Sequence, residues 1–493
     1  MDDNNQNQEK NQSNPIFETV PIDEQNVTAN SPSEPQIEET PDEVVSPVEE
    51  NISDQSTDSP PPVYLENKNQ YLIFVIAAII FFLIFILIIK SIFSGISKPK
   101  AVTLTYWGLW EDKRTVQPLI DLYQQKYPNV KINYQQMSPE NYRDKLIVRS
   151  KDGSGPDIFR FHNTWLPQLT EVVAPLPSQI MSAQEFEKTF YKVHQKDLKV
   201  GNYYYGLPLM IDGLVLVYND DLFKKAGITT VPNTWEDIAD IVPKLTVKDT
   251  SGNIITSGIA LGTANNIEHF SDILGLLFLQ NGVDLHQLDS NEAAEALAMY
   301  RRFAEPPNNY WSEDMPNSLN AFIQGKVAMI FVPSWQILSI KAVNPDIKIK
   351  VVPVPAVPGG KPISLANYWV EGVSKYSKNQ IEAWKFLKFL TEKENLTKLY
   401  ELQAKERLFG EPYSRVDLAN LLVQNEYIGA VIKQADNFVS LPLVSRTFDN
   451  GLNDQIIKYL ENAVNSTIQG VSYNEALKTA QEGVKQVFTK YKL

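Results

Sequence analysis

Cysteine is absent from all 493 residues, which excludes disulfides, thiolate nucleophiles and cysteine-based metal sites. Histidine is scarce: His162, His194, His269 and His286 are the only four, and no two stand at metal-ligand spacing. No GxSxG, HExxH or Walker sequence occurs, so the common signatures of serine hydrolases, zinc proteases and nucleotide-binding loops are missing. A basic stripe is missing too. The net charge is −14, and all of it sits in the first 70 residues, where 16 acids face only Lys10 and Lys68; the remainder holds 43 acids and 43 bases. A neutral body offers nothing to a phosphate backbone, so nucleic acid is excluded as a partner. No cofactor and no metal is expected.

What is present falls into three segments. Residues 1–68 are dominated by Asn, Gln, Ser, Pro and Glu, with nine prolines and only Phe17 and Tyr64 as aromatics. Such a stretch cannot bury enough apolar surface to offset chain entropy, and it reads as a disordered acidic tail. Tyr71 to Ile89 then runs 19 residues without a charge or helix breaker. At about 1.5 Å per residue this crosses a roughly 30 Å hydrocarbon core, so a transmembrane helix is predicted over 69–91 with a linker over 92–101. It exceeds the apolar run of a cleavable signal peptide, and no small-residue cleavage site follows. Lys68 precedes it and Lys90, Lys98 and Lys100 follow, which by the positive-inside rule would leave the large domain in the cytoplasm. Long domains translocate largely regardless of flanking charge, so the orientation rests on what that domain is.

The third segment, 102–493, alternates short β-branched runs with amphipathic helical stretches, the pattern of an α/β fold. At 493 residues with 43% hydrophobic content, the chain is long enough for more than one core. Strands are predicted at 102–107, 130–135, 157–161, 214–218, 327–332 and 347–352. Helices are predicted at 114–127, 142–151, 235–245 and 381–390. Asn219 is placed to cap one helix, Gly227 to end it, and Thr234 with Asp237 to form a capping box.

Several clusters carry candidate chemistry. LTYWGLWED delivers Trp110, Glu111 and Asp112 to the loop after a first strand, where open α/β sheets place their ligand crevice. An indole face stacks on the C–H face of a pyranose and a carboxylate accepts hydroxyls, so these side chains suit a neutral polyol. GSGPDIFRFHNTWL brings Asn163 and Trp165 to the end of another strand. YGLPLMIDGLVLVYN sets Asp212 inside an apolar run between Pro208 and Gly213, a costly position for a carboxylate unless polar groups satisfy it. FIQGKVAMIFVPSW ends on Trp335, and Tyr368 and Trp369 form a last cluster.

From about Val102 onward the chain resembles the family 1 extracellular solute-binding proteins of bacterial ABC importers, the group of maltose- and multiple-sugar-binding proteins. The matching landmarks, in order, are TYWGLWE, YPNVKINY, GSGPDIFRF, YYGLPLMIDGLVLVYNDDLFKKAGI, VPNTWEDI, FIQGKVAMIFVPSW and EAWKFLKFL. The resemblance implies a type II periplasmic-binding-protein-like fold, with two α/β lobes, a hinge and an interlobe cleft. Lobe 1 is expected at about 102–210 and 322–362, and lobe 2 at about 211–321 and 363–493. It further implies Trp110, Glu111, Asp112, Asn163, Trp165, Asp212 and Trp335 as ligand contacts, with Asn265, His269, Tyr368, Trp369 and Arg415 in regions that face the cleft. Many relatives are lipoproteins held through a cysteine, which this chain lacks, so the apolar helix would be the anchor.

The function so implied is that of a monomeric, membrane-anchored extracytoplasmic receptor. It would bind a sugar or oligosaccharide and deliver it to a permease, with the acidic tail in the cytoplasm. Two alternatives stay open at this point: a cell-surface carbohydrate hydrolase using Glu111 and Asp212, and a receptor for a peptide, polyamine or other non-sugar solute.

Overall fold

The computed structural model describes residues 68–94 and 100–493. The acidic tail and the central part of the expected linker lie outside the described residues. The chain divides into two units, Met1–Gly95 and Ile96–Leu493.

In the first unit, a helix spans Lys68–Ser94 and contains the whole apolar run. Its Tyr71–Ile88 stretch has a mean hydropathy of 3.4 and no buried residue, so it is long and apolar enough to cross a membrane.

The second unit is built on ten strands that matter for the site. They are β1 Val102–Gly108, β2 Val130–Gln136, β3 Ile158–His162, β4 Leu207–Pro208 and β5 Leu214–Asn219, followed by β6 Met329–Pro333, β7 Ile349–Val352, β8 Ser364–Leu365, β9 Trp369–Val373 and β10 Phe438–Val439. A five-stranded sheet has the order β2-β1-β3-β9-β4, and a three-stranded sheet the order β6-β5-β7. β1 runs parallel to β2 and β3, while β9 is antiparallel to β3 and β4. In β2 only Val130, Ile132 and Tyr134 are buried, the period-2 pattern of an edge strand with one covered face. β5, central in its sheet, is buried at all six positions; its Leu-Val-Leu-Val run is apolar, and the Asn219 side chain at its end accepts the Leu222 amide.

Helices cover both sheets where the sequence stripes them. Lys113–Lys126 buries Val116, Leu119, Ile120 and Tyr123 along one face, and Asp112 caps its first turn. Asn219 accepts the Leu222 amide to cap Asp220–Lys225, and Thr234 with Asp237 closes the capping box of Trp235–Leu245. The predicted helix at 381–390 is present as Gln380–Leu390.

The expected division into lobes is corrected by strand pairing. β6 and β7 lie in the segment 322–362 yet hydrogen-bond to β5, so this segment belongs with the second sheet. β9 lies in 363–493 yet pairs with β3, which puts Trp369–Val373 with the first sheet. Three boundaries were expected, near 211, 322 and 363; strand pairing instead sets crossings near 213 and 366 side by side. Gly213, between β4 and β5, bridges Ala366, between β8 and β9. A Cβ on Gly213 would fall 2.2 Å from the Phe438 ring, so only glycine lets a third crossing segment, β10, pack here. β10 pairs with β8.

Candidate functional site

The three strand ends of the first sheet open on one edge. β1 stops at Gly108, where a Cβ would meet the Tyr134 hydroxyl oxygen at 2.1 Å. That hydroxyl instead donates to the Glu111 carbonyl at 2.7 Å. The Met137 amide reaches back to the Gly108 carbonyl at 2.9 Å. So pinned, the loop turns Trp110 outward at 39% exposure. On the next strands His162, the last residue of β3, lies opposite Trp369, the first of β9.

The result is an aromatic strip. The Trp369 ring meets Trp110 at 5.5 Å, His162 at 5.1 Å and Trp165 at 5.3 Å, each edge to face. Phe448 adds a third partly open ring, 6.2 Å from Trp110. Trp165 is fully buried behind them. The strip carries little unpaired charge: burial pushes His162 down to about 4, which keeps its imidazole neutral at physiological pH.

Glu111, expected as a ligand contact, lies behind the strip and is paired within the protein. Only 6% exposed, it forms an ion pair with Arg160 and accepts from Gln403 at 3.4 Å. Burial works to raise its pKa, but the Arg160 guanidinium outweighs burial and holds the carboxyl well below the usual range. Asp112 is likewise committed, to the Arg114 amide and guanidinium at the helix start.

At the crossing, the buried Asp212 carboxylate accepts from the amides of Gly213 at 2.7 Å, Ser334 at 3.2 Å and Trp335 at 3.3 Å. It thereby supplies the cap that the helix Gln336–Val343 lacks in its own sequence. The Asp212 carbonyl accepts the Asn367 amide at 2.9 Å, joining both crossings. Trp335 is half-buried at this second edge, with the His269 ring 5.9 Å away; His269 Nδ1 meets the Ser445 hydroxyl at 2.8 Å, and its Nε2 has no hydrogen-bond partner among the described residues.

Burial pushes Asp212 up to about 6, against the pull of the three amides. The folded pKa thus exceeds the unfolded value. The fold holds a proton between about pH 4 and 6 that the unfolded chain has released, and stability falls as pH rises through that window. Relative to Asp212→Asn, the native chain is expected to lose about 2–3 kcal/mol from pH 4 to 6.5, read as urea midpoints. Parallel curves would show that the carboxyl titrates normally.

The remaining expected contacts are occupied within the protein. Asn163 and Tyr368 both donate to Asp197, at 3.1 and 2.6 Å, and the Ser440 hydroxyl joins them at 2.6 Å. Burial raises Asp197 despite these donors. Asp197, unrecognised in the sequence because it sits among the lysines of a short helix, thus fastens two crossing segments to the first sheet's half. Asn265 is exposed and bonded to Glu313 and Asn465. Arg415 forks onto Asp417 and reaches the Thr391 carbonyl at 3.0 Å. Among the described residues no cluster of histidines and acids could hold a metal ion.

Phe448 is the member of the strip that sequence reading did not single out. Its backbone has φ +56°, flanked at alternate positions by Arg446 at +58° and Asn450 at +46°. Three non-glycine residues in the left-handed region within five positions mark a locally strained loop. The only sequence signal was the Asp449-Asn450-Gly451 turn chemistry.

The family model described as bacterial extracellular solute-binding protein matches residues 107–397. The chain is 24% identical to the maltodextrin-binding protein MdxE of Bacillus subtilis, over 62% of this chain and 72% of that one. A solute-binding protein of Thermotoga lettingae, crystallised with alpha-D-tagatose, superimposes with a TM-score of 0.60 at 25% identity, over 78% of this chain and 99% of that one. A cyclo/maltodextrin-binding protein complexed with maltotetraose gives 0.64 at 20% identity, over 80% and 98%, a likeness of fold.

Proposed function

Since the chain belongs to the bacterial extracellular solute-binding protein family, we propose that it is a membrane-anchored receptor that captures a sugar or oligosaccharide and hands it to the permease of an ABC importer. The observation that carries this is the partly open strip of Trp110, Trp369 and Phe448, set at the edge of the first sheet beside the strand crossings. Indole and phenyl faces pack on sugar C–H faces. The acids and the imidazole nearest the strip are ion-paired, hydrogen-bonded or neutral, which suits an uncharged ligand better than a polyamine or a metal.

In this reading the first lobe carries the five-stranded sheet, residues 102–209 and 367–437, and the second carries the three-stranded sheet, residues 214–364 and 440–493. The crossings at Asp212, Asn367 and Ser440 form the hinge. Ligand contacts are assigned to Trp110, Trp369 and Phe448 on one side and Trp335 with His269 on the other. A ligand touching both sides favours the closed form by its differential affinity for it, and the closed form engages the permease. The helix Lys68–Ser94 anchors the receptor with its large domain outside and the acidic tail inside, keeping it near its transporter at high effective concentration.

The unit Ile96–Leu493 is tested by thermal shift against a panel of mono- and oligosaccharides, amines and peptides. A saccharide at about a hundred times its Kd stabilises by about 2.7 kcal/mol, a rise of several degrees. A response confined to amines or peptides would replace the ligand class, and the release of new reducing ends from an oligosaccharide would replace the receptor by a hydrolase.

A further inference from the structure

The buried ion cluster beneath the aromatic strip is out of proportion to a stabilising function. Arg160 is 3% exposed, on β3. Its Nε donates to Glu371 Oε1 at 2.7 Å, and its Nη1 pairs with Glu111 Oε2. A buried triad of this kind is often no more stable than apolar residues of equal volume. What it adds is direction, because the planar guanidinium fixes where both carboxylates lie.

Both of those carboxylates belong to segments that carry an indole. Glu111 follows Trp110 directly. On β9, Glu371 stands opposite Arg160 and Trp369 stands opposite His162. Residues two apart on a strand share a face, so Arg160, Glu371, His162 and Trp369 lie on one face of the sheet in adjacent rows. The two segments are far apart in sequence and meet at the Trp110–Trp369 contact, 5.5 Å and 70°.

We propose that Arg160 is the positioning residue of the ligand platform: by holding Glu111 and Glu371 in one fork, it sets the angle between Trp110 and Trp369. This rests on the reading of those indoles as the sugar platform. The surroundings are consistent with an arginine kept for its geometry. A third acid, Glu411, lies beside Glu111, and burial together with that negative neighbour raises its pKa. Arg407 lies 3.7 Å from Glu411, so a second guanidinium stands near the fork.

The test separates positioning from plain support of the fold. The triple variant Arg160→Met, Glu111→Gln, Glu371→Gln removes every charge of the fork while preserving volume. Near-UV circular dichroism reads the coupled Trp110–Trp369 pair, with Trp110→Phe identifying its signal; maltotetraose, or the best binder of the panel, reads affinity. The expected result is a melting temperature near that of the native chain, loss of the pair signal and an affinity lower by about tenfold or more. A triple variant that folds and keeps both the signal and the affinity overturns the proposal. Should the triple variant not fold, Glu111→Gln decides, since it releases the Trp110 arm while Arg160 stays paired with Glu371: an altered pair signal supports positioning, and an unchanged one refutes it. If the native chain binds no saccharide, the sugar reading fails, while the spectrum still tests the fork.

Discussion

Trp369→Ala lowers saccharide affinity by about a hundredfold or more, the largest effect expected of any single substitution at the site. Trp369 is the centre of the strip: its ring touches Trp110, His162 and Trp165, so removing it takes away one stacking face and unseats a second. About 3 kcal/mol of binding is at stake, since aromatic anchors in partly desolvated sites dominate recognition. Stability falls less, because the indole is only half-buried and its loss opens the site to water instead of leaving a sealed cavity. Trp369→Phe retains a face and is expected to lose about tenfold. Calorimetric titration of the native and variant units checks both values, and an alanine variant within threefold of native affinity would remove Trp369 from the site.

Asp449→Ala is expected to cost about 3–4 kcal/mol of stability, the largest effect on the fold. This fully buried carboxylate accepts the amides of Gly451, Asn453 and Asp454, the Asn453 side chain and the Gln168 side chain. It both starts the helix Leu452–Ile468 and holds the loop in which Arg446, Phe448 and Asn450 sit at positive φ. Each such residue stores about 1–3 kcal/mol that the loop retains only while its ends are fastened. Burial acts to raise the Asp449 pKa, but the donors from Asn453, Gly451 and Gln168 prevail and lower it. With the folded pKa depressed, the contribution is present above the ordinary aspartate pKa and is lost as pH falls through the folded value. Denaturant midpoints at pH 7 measure the cost. Affinity is expected to fall in parallel because Phe448 leaves its place beside Trp110; a variant of native stability and affinity would show that the loop is held by other means.

How much of this was legible depends on whether a residue's partners lie near it in the chain. β1, β2, β3 and β5 were readable because each is a short run rich in β-branched or aromatic residues, and the Asn219 and Thr234 caps because capping is settled within four residues. β9 was not, since its sequence WVEGV carries a charge and a glycine where a buried strand is expected to be apolar. Glu371 is tolerated there only because Arg160, more than 200 residues earlier, comes to lie opposite.

The same limit separates the residues of the site. Trp110, Trp335 and Trp369 could be singled out because an indole at a strand end is unusual wherever it occurs. Glu111 and Asp212 were also found, but the sequence could not say that one would be closed off by Arg160 and the other spent on three backbone amides. The lobe boundaries were misplaced for a related reason: following the chain gives the order of the strands, while hydrogen bonding decides which sheet each joins.

By itself, then, the sequence determined the class of each segment: an acidic tail, an apolar helix and an α/β body whose motifs belong to a solute-binding family. Those properties follow from composition, periodicity and local capping, which are set by neighbours in the chain. Tertiary structure alone decided which acids are sealed away, which crossings lie together and that Phe448 joins the strip, because burial and charge pairing depend on residues that only folding brings within a few ångströms.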